Sequence, residues 1–130
     1  MIISPALLKA EAQALLESSN SRTILHRPES TLNLMLIKIG QLDESRLHKN
    51  VGRDELIACV VGEIEVEIYE ETEKKFDRIE TVRLDGSCGQ TYLVRKDTYH
   101  VIRAISAKAV LFEMIGGVHR PNGTVYSDFK

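Results

Sequence analysis

Eight short runs of β-type residues, beginning just after Arg22 and divided by clusters of Gly, Asn, Asp, Ser and Lys, constrain this chain more than any other feature. They read "TILHR", "TLNLMLIKIG", "ELIACVVG", "EIEVEIYE", "RIETVRL", "TYLVR", "YHVIRAI" and "AVLFEMIGG". Such lengths, with turn chemistry between them, predict strands rather than helices. The clearest is "EIEVEIYE": Ile64, Val66 and Ile68 alternate with Glu63, Glu65 and Glu67, as a half-buried antiparallel strand requires, with the glutamates forming a solvated face. The following "ETEKKFD" reads as a hairpin loop returning into "RIETVRL", which brings Arg78 or Arg83 across from those glutamates. Regular spacing of short strands predicts an all-β sandwich or jelly roll.

Ahead of the strands, Ser4 and Pro5 read as an N-cap and first-turn proline. Leu8, Ala12, Leu15 and Leu16 share one helical face, giving a short amphipathic helix that ends near "SSNS". The tail "GGVHRPNGTVYSDFK" is rich in turn formers and predicts an irregular segment packed over the barrel. The expected organisation of the 130 residues is therefore one domain, with the helix in 1–20, the β-barrel in 21–115 and the irregular tail in 116–130.

Charge argues against two classes of partner: 17 basic residues nearly cancel 19 acidic ones, so no whole-protein field favours nucleic acid or an anionic membrane. No apolar run approaches the roughly 20 residues of a membrane span, and the N-terminus lacks a signal-peptide pattern, so a cytoplasmic location is expected. Cys59 and Cys88 offer neither a disulfide framework nor a C-x-x-C pair, and both read as small packing residues. The sequon at Asn122 reads as a turn with Gly123.

The chemistry concentrates around "SRLHKNVGRDELIACVVG". Alternation places Glu55, Ile57, Cys59 and Val61 on one face of their strand, and Arg46 and His48 share a face if their segment is extended. A carboxylate at the start of so apolar a strand must stay near the rim, find a cation or accept from a donor, because burying it unpaired costs several kcal/mol. His100 opens "HVIRAI". In a jelly roll, His48, Glu55 and His100 can converge. Two imidazoles and a carboxylate form a facial set suited to Fe, Mn, Ni or Zn.

"RLHKNVGRDELIACVVGEIEV" resembles the first cupin motif, and "LVRKDTYHVIRA" the second. The resemblance extends over nearly the whole chain to the small cupins of the WbuC type found among polysaccharide-biosynthesis genes, through the N-terminal helix, "RTILH", "VLFEMIGG" and the closing "SDF". It implies a cupin-type jelly-roll β-barrel of the RmlC-like superfamily with a short N-terminal α-helix. It also implies a divalent-metal site of His48, Glu55 and His100, with Gly62 as the motif glycine, and pairing into a homodimer. Three departures stand out. Arg46 replaces the first motif histidine and has no lone pair to give a metal. Lys49 stands where proline is usual, and Asp97 replaces the glycine before the second-motif histidine.

Arg46 has three readings: an ion pair with Glu55 in place of metal, an outward swing that leaves three ligands, or a clamp for a ligand carboxylate or phosphate. Tyr92 and His26 are candidate catalytic residues, while Tyr99 is expected to face away from His100. His119 in the tail is a weaker candidate. Glu113, an acid inside an apolar strand, is expected at the rim or paired with Arg103. The leading functional expectation is a metal-binding cupin that acts on or binds a small sugar-derived molecule. Beside it stand a metal-free enzyme of the sugar-nucleotide epimerase kind and a non-catalytic ligand-binding cupin with a decayed site.

Overall fold

The computed structural model describes residues 2–41, 43, 45–73, 75–117 and 122–127. Among these, one helix, α1 (Pro5–Glu17), precedes ten strands. They are β1 (Arg22–Ile24), β2 (Leu32–Gly40), β3 (His48–Asn50), β4 (Glu55–Val61), β5 (Glu63–Thr72), β6 (Lys75–Asp85), β7 (Thr91–Val94), β8 (Tyr99–Ala104), β9 (Lys108–Gly116) and β10 (Thr124–Tyr126). The strands form two five-stranded sheets, ordered β1-β2-β9-β4-β7 and β10-β3-β8-β5-β6, and every pairing is antiparallel. This is a jelly roll carrying a short N-terminal helix.

The helix begins where the Ser4 hydroxyl accepts from the Leu7 N–H at 3.1 Å, with Pro5 in the first turn. At its other end Lys38 Nζ donates to the carbonyls of Leu15 (3.1 Å) and Ser18 (2.7 Å), so a cation meets the negative end of the helix. Ala12 and Leu15 are buried against Leu36, Val60 and Val110 on the outer face of the first sheet. Consequently β2, β4 and β9 carry apolar residues on both faces, one set beneath α1 and the other inside the barrel.

The barrel interior divides lengthwise. One end is dry: Ile57, Ile64, Val66, Ala109 and Leu111 interlock with Cys59 and Leu84. Toward the other end the same inward registers carry Asn33, Asn50, Glu55, His100 and Glu113, all buried. The apolar half holds the sheets together, and the polar half is where a site can form. The β4–β5 corner turns at Gly62, with φ +78°, and a Cβ built there would lie 2.5 Å from the Lys108 carbonyl oxygen. Only glycine combines that φ with that approach.

Several expectations need correction. The "ETEKKFD" loop is shorter than predicted, because β6 already begins at Lys75, which pairs with Thr72. The tail is not wholly irregular: Thr124–Tyr126 forms β10 against β3. His26 lies beyond the end of β1 rather than within a strand. The glutamate face of β5 is only partly solvated. Glu67 is fully buried, paired with Arg103 and Arg78 and accepting from the Tyr69 hydroxyl. Arg83 does lie across from Glu65, at 3.4 Å, and Arg78 reaches Glu67 at 2.8 Å.

Candidate metal centre and ligand cavity

β3 is three residues long and polar, and it is held by its neighbours rather than by its own propensity. Its Asn50 pairs with Thr124 of β10, and its His48 pairs with both Tyr126 of β10 and His100 of β8. That register sets the two imidazoles against one another, with ring centroids 4.2 Å apart and planes inclined by 51°. Glu55, the first residue of β4 in the opposite sheet, reaches across the barrel, and its Oε2 lies 2.9 Å from His100 Nε2.

Backbone carbonyls set both tautomers. His48 Nδ1 sits 2.6 Å from the Arg46 oxygen, and His100 Nδ1 sits 2.9 Å from the Thr98 oxygen. A carbonyl only accepts, so each Nδ1 carries the proton and each neutral ring presents the Nε2 lone pair to the cavity. Burial keeps the rings neutral. It pushes His48 down to about 4, with the neighbouring His100 adding to the effect, and it lowers His100 as well.

Glu55 is almost fully buried and accepts from Asn50 Nδ2 at 2.8 Å. Its second partner is Glu113 of β9, hydrogen-bonded to it side chain to side chain. Burial raises both carboxyls. Glu113 stands well above the usual carboxylate range, because the charge of Glu55 and the hydrogen bond to it reinforce burial. Glu113 is therefore the acid that donates and Glu55 the carboxylate that accepts.

The ligand atoms of His48, Glu55 and His100 all lie within 4.8 Å of one another. His100 Nε2 is buried and has no aligned hydrogen-bond partner among the described residues, although Glu55 Oε2 is close. Two buried lone pairs facing each other call for a cation between them. Carbonyl-held tautomers and a carboxylate braced by Asn50 are what a metal's outer shell provides. The donor set fits a divalent ion bound at about 2.0–2.2 Å from nitrogen and oxygen, after small side-chain adjustments.

His48 and Glu55 border a cavity of about 430 Å³, whose walls include Met35, Ile37, Leu111 and Ile115. Arg46 lies on its rim, with the guanidinium carbon 4.6 Å from the centre of the Tyr126 ring. The ion pair with Glu55 in place of metal does not form: Glu55 is engaged by Asn50, Glu113 and His100, and Arg46 has turned toward β10. A larger hollow of about 1140 Å³ lies on the outer face of the first sheet, around Leu56, Leu93 and Met114.

Other sequence candidates fall elsewhere. The Tyr92 hydroxyl donates to Glu80 at 2.8 Å, and burial together with that carboxylate pushes it up to about 12. His26 Nδ1 accepts from the Leu34 N–H at 3.0 Å, beside a separate surface hollow. Tyr99 packs edge-on against Phe76 on the outer face of the second sheet. His119 lies outside the described residues, as do Asp128 and Phe129 of the closing "SDF". Glu113 is neither at the rim nor paired with Arg103, which binds Glu65 and Glu67 outside the barrel. Asn50, Asn33, Arg22 and Arg53 were missed. Asn50 was readable, since it stands two residues past His48 and shares its face.

The Asp97 departure is also resolved. Its φ is +61°, the left-handed conformation that glycine adopts most easily and Asp tolerates better than most. Its Oδ1 accepts from the Gly52 N–H at 2.9 Å, and its own N–H donates to the Asn50 carbonyl at 3.0 Å, so this turn braces the Asn50 end of the site.

No family model matches the chain, and no curated protein matches it at a significant level. Solved structures do. The capsular polysaccharide assembling protein CapF from Staphylococcus aureus superposes over 86% of this chain and 31% of its own, with a TM-score of 0.71 at 12% identity. BH2720 from Bacillus halodurans is matched over 97% of this chain and 87% of its own, with a TM-score of 0.70 at 16% identity. The formate complex of Lactobacillus farciminis oxalate decarboxylase covers 81% of this chain and 30% of its own, with a TM-score of 0.64 at 14% identity. The fold is the cupin jelly roll. This cupin barrel spans less than a third of CapF and of the decarboxylase, so the likeness is of one barrel. Among the described residues, no helix is long and apolar enough to cross a membrane.

Proposed function

We propose that this cupin barrel binds a divalent metal through His48, Glu55 and His100 and uses it to bind or transform a small sugar-derived molecule in the adjoining cavity. The observation that carries the reading is the buried Nε2 of His100, with no aligned hydrogen-bond partner among the described residues, beside Glu55 Oε2, with a ligand nitrogen of His48 within 4.8 Å of both. A divalent ion there supplies Lewis-acid polarisation of a bound ligand oxygen. The chain's own residues do the rest: Asn50 and Glu113 orient Glu55, and the Arg46 and Thr98 carbonyls hold the imidazoles.

The sugar-derived ligand, membership of the WbuC-type cupins, a cytoplasmic homodimer and a place in polysaccharide metabolism belong to the same proposal. They are supported by the sequence resemblance and by the likeness to CapF, whose name describes capsular polysaccharide assembly. The metal-free epimerase reading has lost its phenolic acid, because Tyr92 is committed to Glu80 and does not border the cavity.

Elemental analysis tests the metal. Protein expressed with supplementary Fe, Mn, Ni or Zn should carry close to one equivalent, and Glu55→Gln and His100→Ala, folded by circular dichroism, should each retain less than a tenth of it. Wild-type protein that stays metal-free in excess of all four refutes the proposal.

A further inference from the structure

β10 does more than lengthen the second sheet. Its register with β3 sets Thr124 opposite Asn50 and Tyr126 opposite His48, and all four residues border the cavity. Val125, between them, is exposed. The pairing is pinned beyond both ends: the Val51 N–H donates to the Gly123 carbonyl at 2.9 Å, and the Ser127 N–H donates to the Leu47 carbonyl at 2.8 Å. Thr124 is thereby held at the cavity wall.

A chain of side-chain hydrogen bonds runs inward from it. Thr124 Oγ1 donates to Asn50 Oδ1 at 3.1 Å, and Asn50 Nδ2 donates to Glu55 Oε2 at 2.8 Å. That oxygen is the one 2.9 Å from His100 Nε2. The inner end dictates the direction of the chain. A carboxylate only accepts, so the Asn50 amide turns its nitrogen to Glu55 and its oxygen away. Asn50 is buried, and a buried amide oxygen left without a donor is costly. The Thr124 hydroxyl is its donor. On Glu55 Oε2 the amide N–H occupies one lone pair, which leaves another for an ion beside the imidazole.

We propose that Thr124 is a positioning residue for the metal centre: by fixing the Asn50 amide it aims Glu55 Oε2 at the point between the two histidines. The inference rests on the functional reading above in taking Glu55 as a metal ligand, and it deepens that reading by making β10 part of the site.

Two substitutions separate the hydroxyl from the shape around it. Thr124→Val keeps the branched side chain and loses the donor, whereas Thr124→Ser keeps the donor. In chelator competition with Zn and Co on the full chain, Thr124→Val should bind about tenfold more weakly than wild type and Thr124→Ser within about twofold of it, the scale expected for a group one remove from the ligands. The visible spectrum of the Co-loaded protein should change in Thr124→Val and not in Thr124→Ser. In an Asn50→Ala background, Thr124→Val should weaken binding by less than about twofold, because the group through which it acts is gone. Thr124→Ala carries the same comparison if Thr124→Val misfolds.

A second readout needs no metal. In chelated protein the Asn50 side-chain N–H signals should be protected from hydrogen exchange by NMR in wild type and Thr124→Ser, and should lose that protection in Thr124→Val. Unchanged metal affinity in Thr124→Val, equal losses in Thr124→Val and Thr124→Ser, or an undiminished effect in the Asn50→Ala background overturns the proposal. Wild-type protein that takes up no metal removes the functional reading, and exchange then decides the positioning of Glu55 by itself: protection retained in Thr124→Val overturns it, and protection lost there but kept in Thr124→Ser supports it.

Discussion

Burial of His48 makes a quantitative claim about pH. Its folded value lies near 4, against 6.5 for an unperturbed imidazole, with desolvation the first cause and His100 the second. The sign follows from proton counts: between pH 6.5 and 4 the unfolded chain binds a proton that the folded chain refuses, so stability falls as pH falls through that window. At pH 7 the two states differ by only about 0.2 kcal/mol, and at pH 5 the deficit from this one group reaches about 2 kcal/mol. Glu113 works in the opposite direction, since a raised carboxyl gives stability that is present at low pH and lost as pH rises. The isolating measurement is therefore the difference between wild type and His48→Gln, unfolded in urea at pH 7 and pH 5 in the presence of chelator. Wild type should lose about 2 kcal/mol more than the variant between the two pH values. Equal losses would mean that His48 titrates as an exposed histidine, and the neutral-imidazole account of the site would fail.

Further perturbations probe the scaffold and the missing ligand. Gly62→Ala forces a side chain into φ +78° and against the Lys108 carbonyl. It should cost roughly 2–4 kcal/mol in urea unfolding, and a loss below about 1 kcal/mol would show that the β4–β5 corner relaxes freely. Asp97→Gly should be nearly neutral, because relief at φ +61° offsets the lost bond to Gly52, whereas Asp97→Ala should cost about 1–2 kcal/mol; identical thermal shifts for the two would refute the backbone explanation. Arg46→His places an imidazole two residues before His48 on the same rim. It should tighten Zn or Mn binding about tenfold or more in a chelator competition, and no gain would mean that the segment ahead of β3 points residue 46 away from the ion.

Much of the interior was legible because alternation is a strict rule. Glu55 shares a face with Ile57 and Cys59, and the latter two are core residues, so the carboxylate at the start of the strand had to point inward as well. What escaped reading are β3 and β10. "HKN" and "TVY" are too short and too polar to announce strands, and they exist because each supplies the other's hydrogen bonds across a long separation, as Asn50 and Thr124 do. The tail therefore looked irregular, and its part in the site was hidden.

The two charged residues that were misplaced show the limit more closely. Glu113 was matched to Arg103 on the sound principle that a buried acid needs a partner. Yet the alternation that turns His100 and Ile102 into the barrel turns Arg103 out of it, toward Glu65 and Glu67. The pairing could have been excluded from the sequence. The true partner, Glu55, could not have been found there, since two acids satisfy one another only when burial holds a proton on one of them. Arg46 is the opposite case. Its position beside the site followed from the motif, but its stacking over the ring of Tyr126 could not, because the pairing of β10 with β3 brings that ring to it. Loss of that ring has a definite consequence. Tyr126→Ala removes the ring stacked on the guanidinium, so if that stacking keeps the charge from the metal ligands, metal affinity should fall by about tenfold or more with little change in fold. Unchanged affinity would show that something other than the Tyr126 ring keeps Arg46 away from the metal ligands.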